Sequence, residues 1–116
     1  MKIKDFFSND FETSDNHFDE LLRTKYYRVD NKKATFELKE IMHQMGFELL
    51  EELEEYHELH YYKPNVEVIA SIFPDSFFKQ GFDFKVNTTY FFPRGRGRKV
   101  IEKIYQELDK KFERTK

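Results

Sequence analysis

The feature that most constrains the fold of this chain is a run of nine residues, from Phe82 to Tyr90, in which apolar and polar side chains alternate. One side of the run carries Phe82, Phe84, Val86, Thr88 and Tyr90, and the other carries Asp83, Lys85, Asn87 and Thr89. A period of two is typical of a β-strand with one buried and one exposed face. We therefore predict an antiparallel strand, opened by Gly81, that lines the core.

Two other segments have apolar residues at helical spacing. The first runs from about Lys32 to Met45, after a cap at Asp30 or Asn31 and before Gly46, and the second runs from about Gly97 to Glu113. The predicted buried stripes are Ala34, Leu38, Ile41, Met42 and Met45 in the first helix, and Val100, Ile101, Ile104, Tyr105, Leu108 and Phe112 in the second. Both stripes can pack on one face of a single sheet.

The segment from Phe47 to Lys63 admits two interpretations. Its leucines and glutamates favour a helix by intrinsic propensity. Two neighbouring features favour two strands about a turn at residues 54–57, because Gly46 ends the preceding helix without room for a loop and Pro64-Asn65 is typical of a hairpin turn. We predict two strands, with core positions at Phe47, Leu49, Leu53, Leu59 and Tyr61.

The remaining strands complete a predicted α+β fold. A first strand covers residues 25–29, and a regularly alternating strand begins at Val66 and is ended by Pro74-Asp75-Ser76. The predicted order is β-α-β-β-β-β-α, an antiparallel sheet with two helices packed on one face, in a single domain of residues 23–116. Residues 1–22 are predicted to form an irregular arm with a helical turn near Asp19, either pinned across the domain by its phenylalanines or loose.

Composition narrows the functions open to the chain. Because it has no cysteine, it can form no disulfide, thiolate nucleophile or cysteine-ligated zinc site, which is compatible with a reducing compartment. We find no secretory signal and no apolar stretch long enough to span a bilayer, and we expect a cytoplasmic protein without a membrane partner. With 20 basic and 22 acidic residues the net charge is -2, which disfavours nucleic acid as a partner.

One charge cluster is unusual, and it lies at the predicted start of the last helix: Arg94, Gly95, Arg96, Gly97, Arg98 and Lys99. Cations at the positive end of a helix dipole are unfavourable unless an anion or a carboxylate lies nearby. Backbone amides flanked by glycines at such a position can bind an anion. We therefore predict a site for a phosphorylated small molecule or an acidic protein surface. The alternative is that these cations face water or pair with the glutamates between Glu48 and Glu58.

Signatures of catalysis are weak. His57 and His60 share a face only in a helix, and the spacing of His43, His57 and His60 differs from that of the His-Glu-x-x-His zinc motif. The adjacent glutamates Glu51-Glu52 and Glu54-Glu55 diverge on a strand, which does not suit paired acid and base chemistry. We expect no metal, no cofactor and no catalytic residue, and we rank an enzyme third among the functional classes.

Five stretches carry a family resemblance: RTKYY at residues 23–27, GFELLE at 46–51, VEVI at 66–69, FDFKV at 82–86 and GRGRKVIEKIY at 95–105. In these the chain resembles small uncharacterised cytosolic proteins of Gram-positive bacteria and, more loosely, a bacterial domain family of unknown function. The resemblance implies two strands over residues 47–63 and implies no activity. The predicted element order is also similar to that of the TATA-binding-protein half-repeat, an analogy of fold that does not imply DNA binding.

These observations lead to one functional prediction with two alternatives. We predict a non-enzymatic binding or interaction module that uses the basic turn, residues 94–99. The first alternative is a binder of an anionic amphiphile, with a pocket among the phenylalanines and the basic turn at its mouth. The second is a single-stranded nucleic-acid binder that stacks bases on sheet aromatics such as Tyr26, Tyr62 and Phe84, which the glutamates between Glu48 and Glu58 disfavour.

Overall fold

The computed structural model describes residues 10–90 and 93–115, so the first nine residues of the predicted arm lie outside the described range. The described residues form an α+β fold, as predicted, in which one seven-stranded antiparallel sheet carries two helices. The strands are β1 (Asp10–Glu12), β2 (Lys25–Arg28), β3 (Glu48–Leu53), β4 (Glu58–Lys63), β5 (Val66–Ser76), β6 (Lys79–Thr88) and β7 (Arg114–Thr115). Their order across the sheet is β3-β4-β5-β6-β2-β7, and β1 also pairs with β6.

The alternating run that begins at Phe82 forms most of the central strand β6, as predicted. Phe82, Phe84 and Val86 are buried on the helix-facing side of the sheet. The strand begins earlier than predicted, at Lys79, so Gly81 lies inside it. On the edge away from β5, β6 pairs with β2 through residues 79–82 and with β1 through residues 85–87.

Asp83 lies where this edge passes from β2 to β1, and it joins the arm to the sheet. The hydroxyls of Thr13 and Thr24 both donate to Asp83 Oδ1, at 2.7 and 2.5 Å. The backbone N–H of Thr13 donates to the carbonyl of Phe84, and Thr13 Oγ1 accepts from Phe84 N–H at 2.8 Å. From residue 10 onward the arm is therefore pinned to the sheet. The helical turn predicted near Asp19 is a 3₁₀ turn, Glu20–Leu22.

Both helices lie on the same face of the sheet and in the predicted places: α1 (Asn31–Gln44) and α2 (Arg96–Lys111). The side chain of Asp30 accepts from Lys33 N–H at 2.8 Å and caps α1, and Gly46 follows its end with φ of 87°. In α2 the predicted stripe is buried at Ile101, Ile104, Tyr105 and Leu108 and partly buried at Val100 and Phe112. The two helices cover the middle of the sheet.

Residues 47–63 form two strands, and the prediction of a helix by propensity alone is wrong. β3 and β4 are joined by a 3₁₀ turn, Glu54–Tyr56, and by His57, which has a left-handed φ of 56°. The predicted core positions Phe47, Leu59 and Tyr61 are buried. Leu53 is not, because a β-bulge between Leu49 and Glu51 adds a residue and places Leu53 opposite Glu58, on the other face. Leu49 lies opposite Tyr61 and is 39% exposed at the edge of the sheet.

The strand β5 continues past the predicted stop at Pro74. Proline lacks the backbone N–H that donates in a regular ladder. The register shifts between Pro74 and Ser76, and this bulge lets the strand continue without that hydrogen bond. The alternation predicted from Val66 onward is confirmed, because every second residue from Val66 to Ile72 is buried. The short strands β1 and β7 have no signal in the sequence, since runs of three and two residues carry no measurable period.

Candidate functional site

The basic turn comprises the two residues before α2 and the first turn of that helix, and its backbone is strained at the start. Arg94 and Gly95 both have left-handed φ values, 52° and 69°. Gly95 is the N-cap residue of α2 and supplies no side-chain cap. The left-handed conformation explains a glycine at position 95, and it is uncommon for a residue such as Arg94.

Two of the four cations in the turn bind partners within the protein. Arg98 Nε donates to Asp19 Oδ2 at 2.8 Å, and its Nη2 donates to Asp19 Oδ1 at 3.3 Å. The hydrogen bond from Arg98 holds the pKa of the Asp19 carboxyl below its usual value. The Arg96 guanidinium lies over the Tyr90 ring, 4.2 Å from its centroid. Of these two contacts, the one with Asp19 supplies the opposite charge that the predicted helix start requires.

The carboxylate that pairs with Arg98 is not one of those considered from the sequence. We considered pairing with the glutamates between Glu48 and Glu58, whereas the structure brings in Asp19 from the arm. Gly97 is buried, and its backbone faces the Phe11 ring, so this glycine serves close packing. Arg94 and Lys99 are exposed and have no ion pair within residues 10–90 and 93–115. They are the part of the predicted anion site that stays open to a ligand.

We compared the chain with protein-family models, with curated proteins and with solved structures. None of the three comparisons finds a match. The resemblance to small proteins of Gram-positive bacteria therefore stays a prediction. Neither α1 nor α2 is long and apolar enough to cross a membrane.

The histidines lie apart in the described structure. His43 is exposed in the last turn of α1, His57 is exposed in the β3–β4 turn, and His60 lies beside Glu58 at 3.2 Å. No three side chains of His, Asp or Glu come together to suit a metal ion within residues 10–90 and 93–115.

A groove of about 530 Å³ lies between α1 and the helix-facing side of β3 and β4. Its apolar lining includes Leu59, Ile72 and Phe36, and the Phe36 side chain is 60% exposed. The salt bridge between Lys39 and Glu52, at 2.9 Å, crosses from α1 to β3. The lining of this groove includes no residue of the basic turn, so the mouth predicted for an amphiphile pocket and this groove are separate. Phe36 had no predicted role, and its place off the buried stripe of α1 was the available signal.

The face of the sheet away from the helices is acidic. The ladder register places seven carboxylates on it: Asp10, Glu12, Glu48, Glu51, Glu58, Glu67 and Asp83. Tyr26 and Tyr62 are also on this face, whereas Tyr27, Tyr61, Phe82 and Phe84 belong to the core. Few aromatic rings are therefore available to stack bases, and the surrounding charge repels phosphates.

Proposed function

We propose that the chain is a non-enzymatic interaction module that binds a basic, extended segment of another protein along β3. The observation that carries the proposal is that β3 is an exposed strand at the edge of the sheet. β3 is six residues long, has none of them buried, and pairs only with β4 among the described strands. Its outer edge thus offers unpaired backbone N–H and C=O groups, which is the arrangement that receives an added strand.

Side chains beside the edge favour apolar and basic groups in the partner. Leu50, at the bulge, is 62% exposed, and the groove beside the helix-facing side of β3 is lined by the exposed Phe36. The strand and the turn after it carry glutamates at positions 48, 51, 52, 54 and 55. An added strand with apolar residues toward the groove and lysine or arginine on the other face would complement both features.

The same charges disfavour the pairing of β3 with β3 of a second copy. Such a pair would bring two glutamate-rich strands within about 5 Å of each other, and like charges on neighbouring strands are destabilising. Acidic edges and bulges commonly prevent self-association of sheets. A basic partner turns this repulsion into attraction.

Selection from a random peptide library on the immobilised protein tests the proposal. We expect enriched peptides to alternate apolar residues with lysine or arginine, and to shift the amide resonances of β3 more than those of β5. The variant Glu48→Lys/Glu51→Lys should bind the selected peptides at least about tenfold more weakly, because two attractions become repulsions. The matched control is Glu12→Lys/Glu113→Lys, which reverses two exposed charges elsewhere and should bind as wild type does. Absence of enrichment, or shifts confined to another surface, would refute the proposal.

Anion binding by the basic turn is the second candidate function. It is supported by the exposure of Arg94 and Lys99 beside the left-handed Arg94-Gly95 backbone. Phosphate at fixed ionic strength should then raise the Tm of wild type, since a ligand that binds the native state stabilises it. Arg94→Gln/Lys99→Gln should abolish that rise. Equal responses of the two proteins to phosphate would exclude the site.

A further inference from the structure

The hairpin between β5 and β6 has an unusual tip, formed by Phe77 and Phe78. Their side chains are 78% and 61% exposed, and the rings contact each other edge to face with centroids 4.6 Å apart. Turn positions normally carry glycine, asparagine, aspartate, serine or proline for conformational reasons. The β4–β5 hairpin follows that rule, with Pro64 and a left-handed Asn65. Exposed phenylalanines in a turn are therefore a feature that turn formation does not explain.

The backbone of the tip is compatible with phenylalanine and is held firmly. Neither Phe77 nor Phe78 has a positive φ, and the bulge next to Ser76 accommodates the turn. The carbonyl of Phe78 accepts a hydrogen bond from Val29 N–H at 2.9 Å. Gln80 Nε2 donates to the carbonyl of Ser76 at 3.3 Å, and Gln80 itself is buried. The backbone that carries the two rings is thus held in place.

Positively charged residues lie on the elements next to the tip. Arg28 lies opposite Lys79 in the ladder, one residue from Phe78, and Lys32 and Lys33 follow in the first turn of α1. The side chains of Arg28, Lys32 and Lys33 are exposed and have no ion pair within the part of the chain that the structure describes.

Two acidic groups at this end are already engaged, and the exposed Glu113, just before β7, lies next to Arg28. The carboxylate of Asp30 caps Lys33 N–H, and Asp75 pairs with Lys79 at 3.2 Å. The exposed charge beside the two rings is therefore mainly cationic, in a protein whose net charge is -2.

We propose that the tip attaches the protein to an anionic lipid surface, with Phe77 and Phe78 inserted at the headgroup boundary and Arg28, Lys32 and Lys33 against the acidic headgroups. Reversible attachment of this kind needs apolar groups that enter the interface and cations at headgroup level. A lipid surface is favoured over a pocket in another protein because the cations come from two separate elements around a projecting tip. The contact concerns one leaflet and requires no spanning segment, so it revises the expectation of no membrane partner without needing a long apolar stretch.

Vesicle co-sedimentation of the full chain tests the proposal. The vesicles are phosphatidylcholine alone, or phosphatidylcholine with phosphatidylserine at about 30%, a composition that models an anionic leaflet. We expect at least about tenfold tighter binding of wild type to the anionic vesicles, because each cation near such a surface adds to the affinity. Raising the salt concentration should weaken it.

Two variants and two controls assign the binding to the tip. Phe77→Ser/Phe78→Ser and Arg28→Gln/Lys32→Gln/Lys33→Gln should each reduce anionic binding to the level seen with phosphatidylcholine. Tyr56→Ser removes a ring that is 67% exposed in another turn, and it should have no effect. Lys85→Gln/Lys103→Gln/Lys110→Gln removes three exposed cations elsewhere, and it should likewise bind as wild type does.

Insertion has its own spectroscopic signature. The chain contains no tryptophan, so Phe77→Trp introduces a unique fluorophore that should shift to the blue and be quenched by brominated lipid. Tyr56→Trp should show neither change. Equal binding of wild type to both kinds of vesicle, or unchanged binding of Phe77→Ser/Phe78→Ser, would overturn the proposal. Self-association that the Phe77→Ser/Phe78→Ser variant loses, without vesicle binding by wild type, would also overturn it and assign the tip to a second copy.

Discussion

Gly97 and Phe11 lie so close that no side chain fits between them. A Cβ atom added to Gly97 would lie 2.8 Å from Cδ2 of the buried Phe11 ring and 3.5 Å from Val86 Cγ1. Non-bonded carbon atoms normally approach to about 3.5–4.0 Å. The first turn of α2 can therefore rest directly on β1 of the arm only because position 97 has no side chain.

We expect Gly97→Ala to lower the free energy of unfolding by about 1–2 kcal/mol, since the added methyl group displaces a buried ring. Helix propensity alone predicts the opposite sign, a gain of up to about 1 kcal/mol. Urea denaturation measures the difference. In a Phe11→Ala background the same substitution should be neutral or stabilising, and a gain in the wild-type background would contradict the prediction.

Glycine is required at positions 81 and 46 for different reasons, close packing at Gly81 and a left-handed backbone at Gly46. A Cβ at Gly81 would lie 2.5 Å from the Phe73 ring and 2.9 Å from that of Tyr26, whereas one at Gly46 would meet nothing within 4 Å. We expect Gly81→Ala to destabilise by about 1–3 kcal/mol through overpacking. Gly46→Ala should cost about 1 kcal/mol through its positive φ alone. Adding Phe73→Ala should reduce the first loss, with the Tyr26 contact remaining, and leave the second unchanged, as measured by thermal and urea unfolding.

Asp83 controls the attachment of the arm. We expect Asp83→Ala to destabilise the protein by about 2 kcal/mol, because hydrogen bonds from two hydroxyls to one carboxylate are lost together. Hydrogen exchange should accelerate first at Thr13 and Thr24, whose N–H groups donate to Phe84 and Ser14. Asp15→Ala, which removes a single acceptor from Tyr26 at the surface, is the control and should cost a few tenths of a kcal/mol. Uniform acceleration across the core would argue against a local role.

The pairing of Asp19 with Arg98 should make stability depend on pH. Arg98 lowers the folded-state pKa of Asp19 below the usual value of about 3.9, so the pair stabilises the native state above that pH. The contribution is lost as pH falls from the usual value through the lower folded-state value. We expect Asp19→Asn to cost about 1 kcal/mol at pH 7 and progressively less as the pH falls below the usual value of about 3.9.

Urea titrations of wild type and variant between pH 7 and pH 2 measure this dependence. Arg98→Gln should show the same convergence with wild type at low pH, whereas Lys99→Gln should differ little from wild type at any pH because Lys99 is exposed. A cost of Asp19→Asn that stays constant across the range would exclude the linkage.

Much of the fold follows from local periodicity. The alternation in β6, the stripes of α1 and α2, and the turn residues around β4 each reflect which side of an element is buried, and burial of apolar area is the dominant favourable term in folding. The partners of the candidate site were harder to predict from the sequence. The basic turn could be located from its charges, but Asp19 lies 79 residues from Arg98 along the chain.

The sequence by itself determined the class of fold and the order of its main elements, because the period of apolar side chains is a property of each short segment. Only the tertiary structure decided that β3 is an open edge, that β5 passes Pro74, and that the rings of Phe77 and Phe78 face water. Segments distant in sequence decide whether a strand has a hydrogen-bonded neighbour and whether an aromatic ring is buried. They also decide whether a strand can continue past a proline through a bulge. Neither composition nor period reports those contacts, since they exist only once the sheet has assembled.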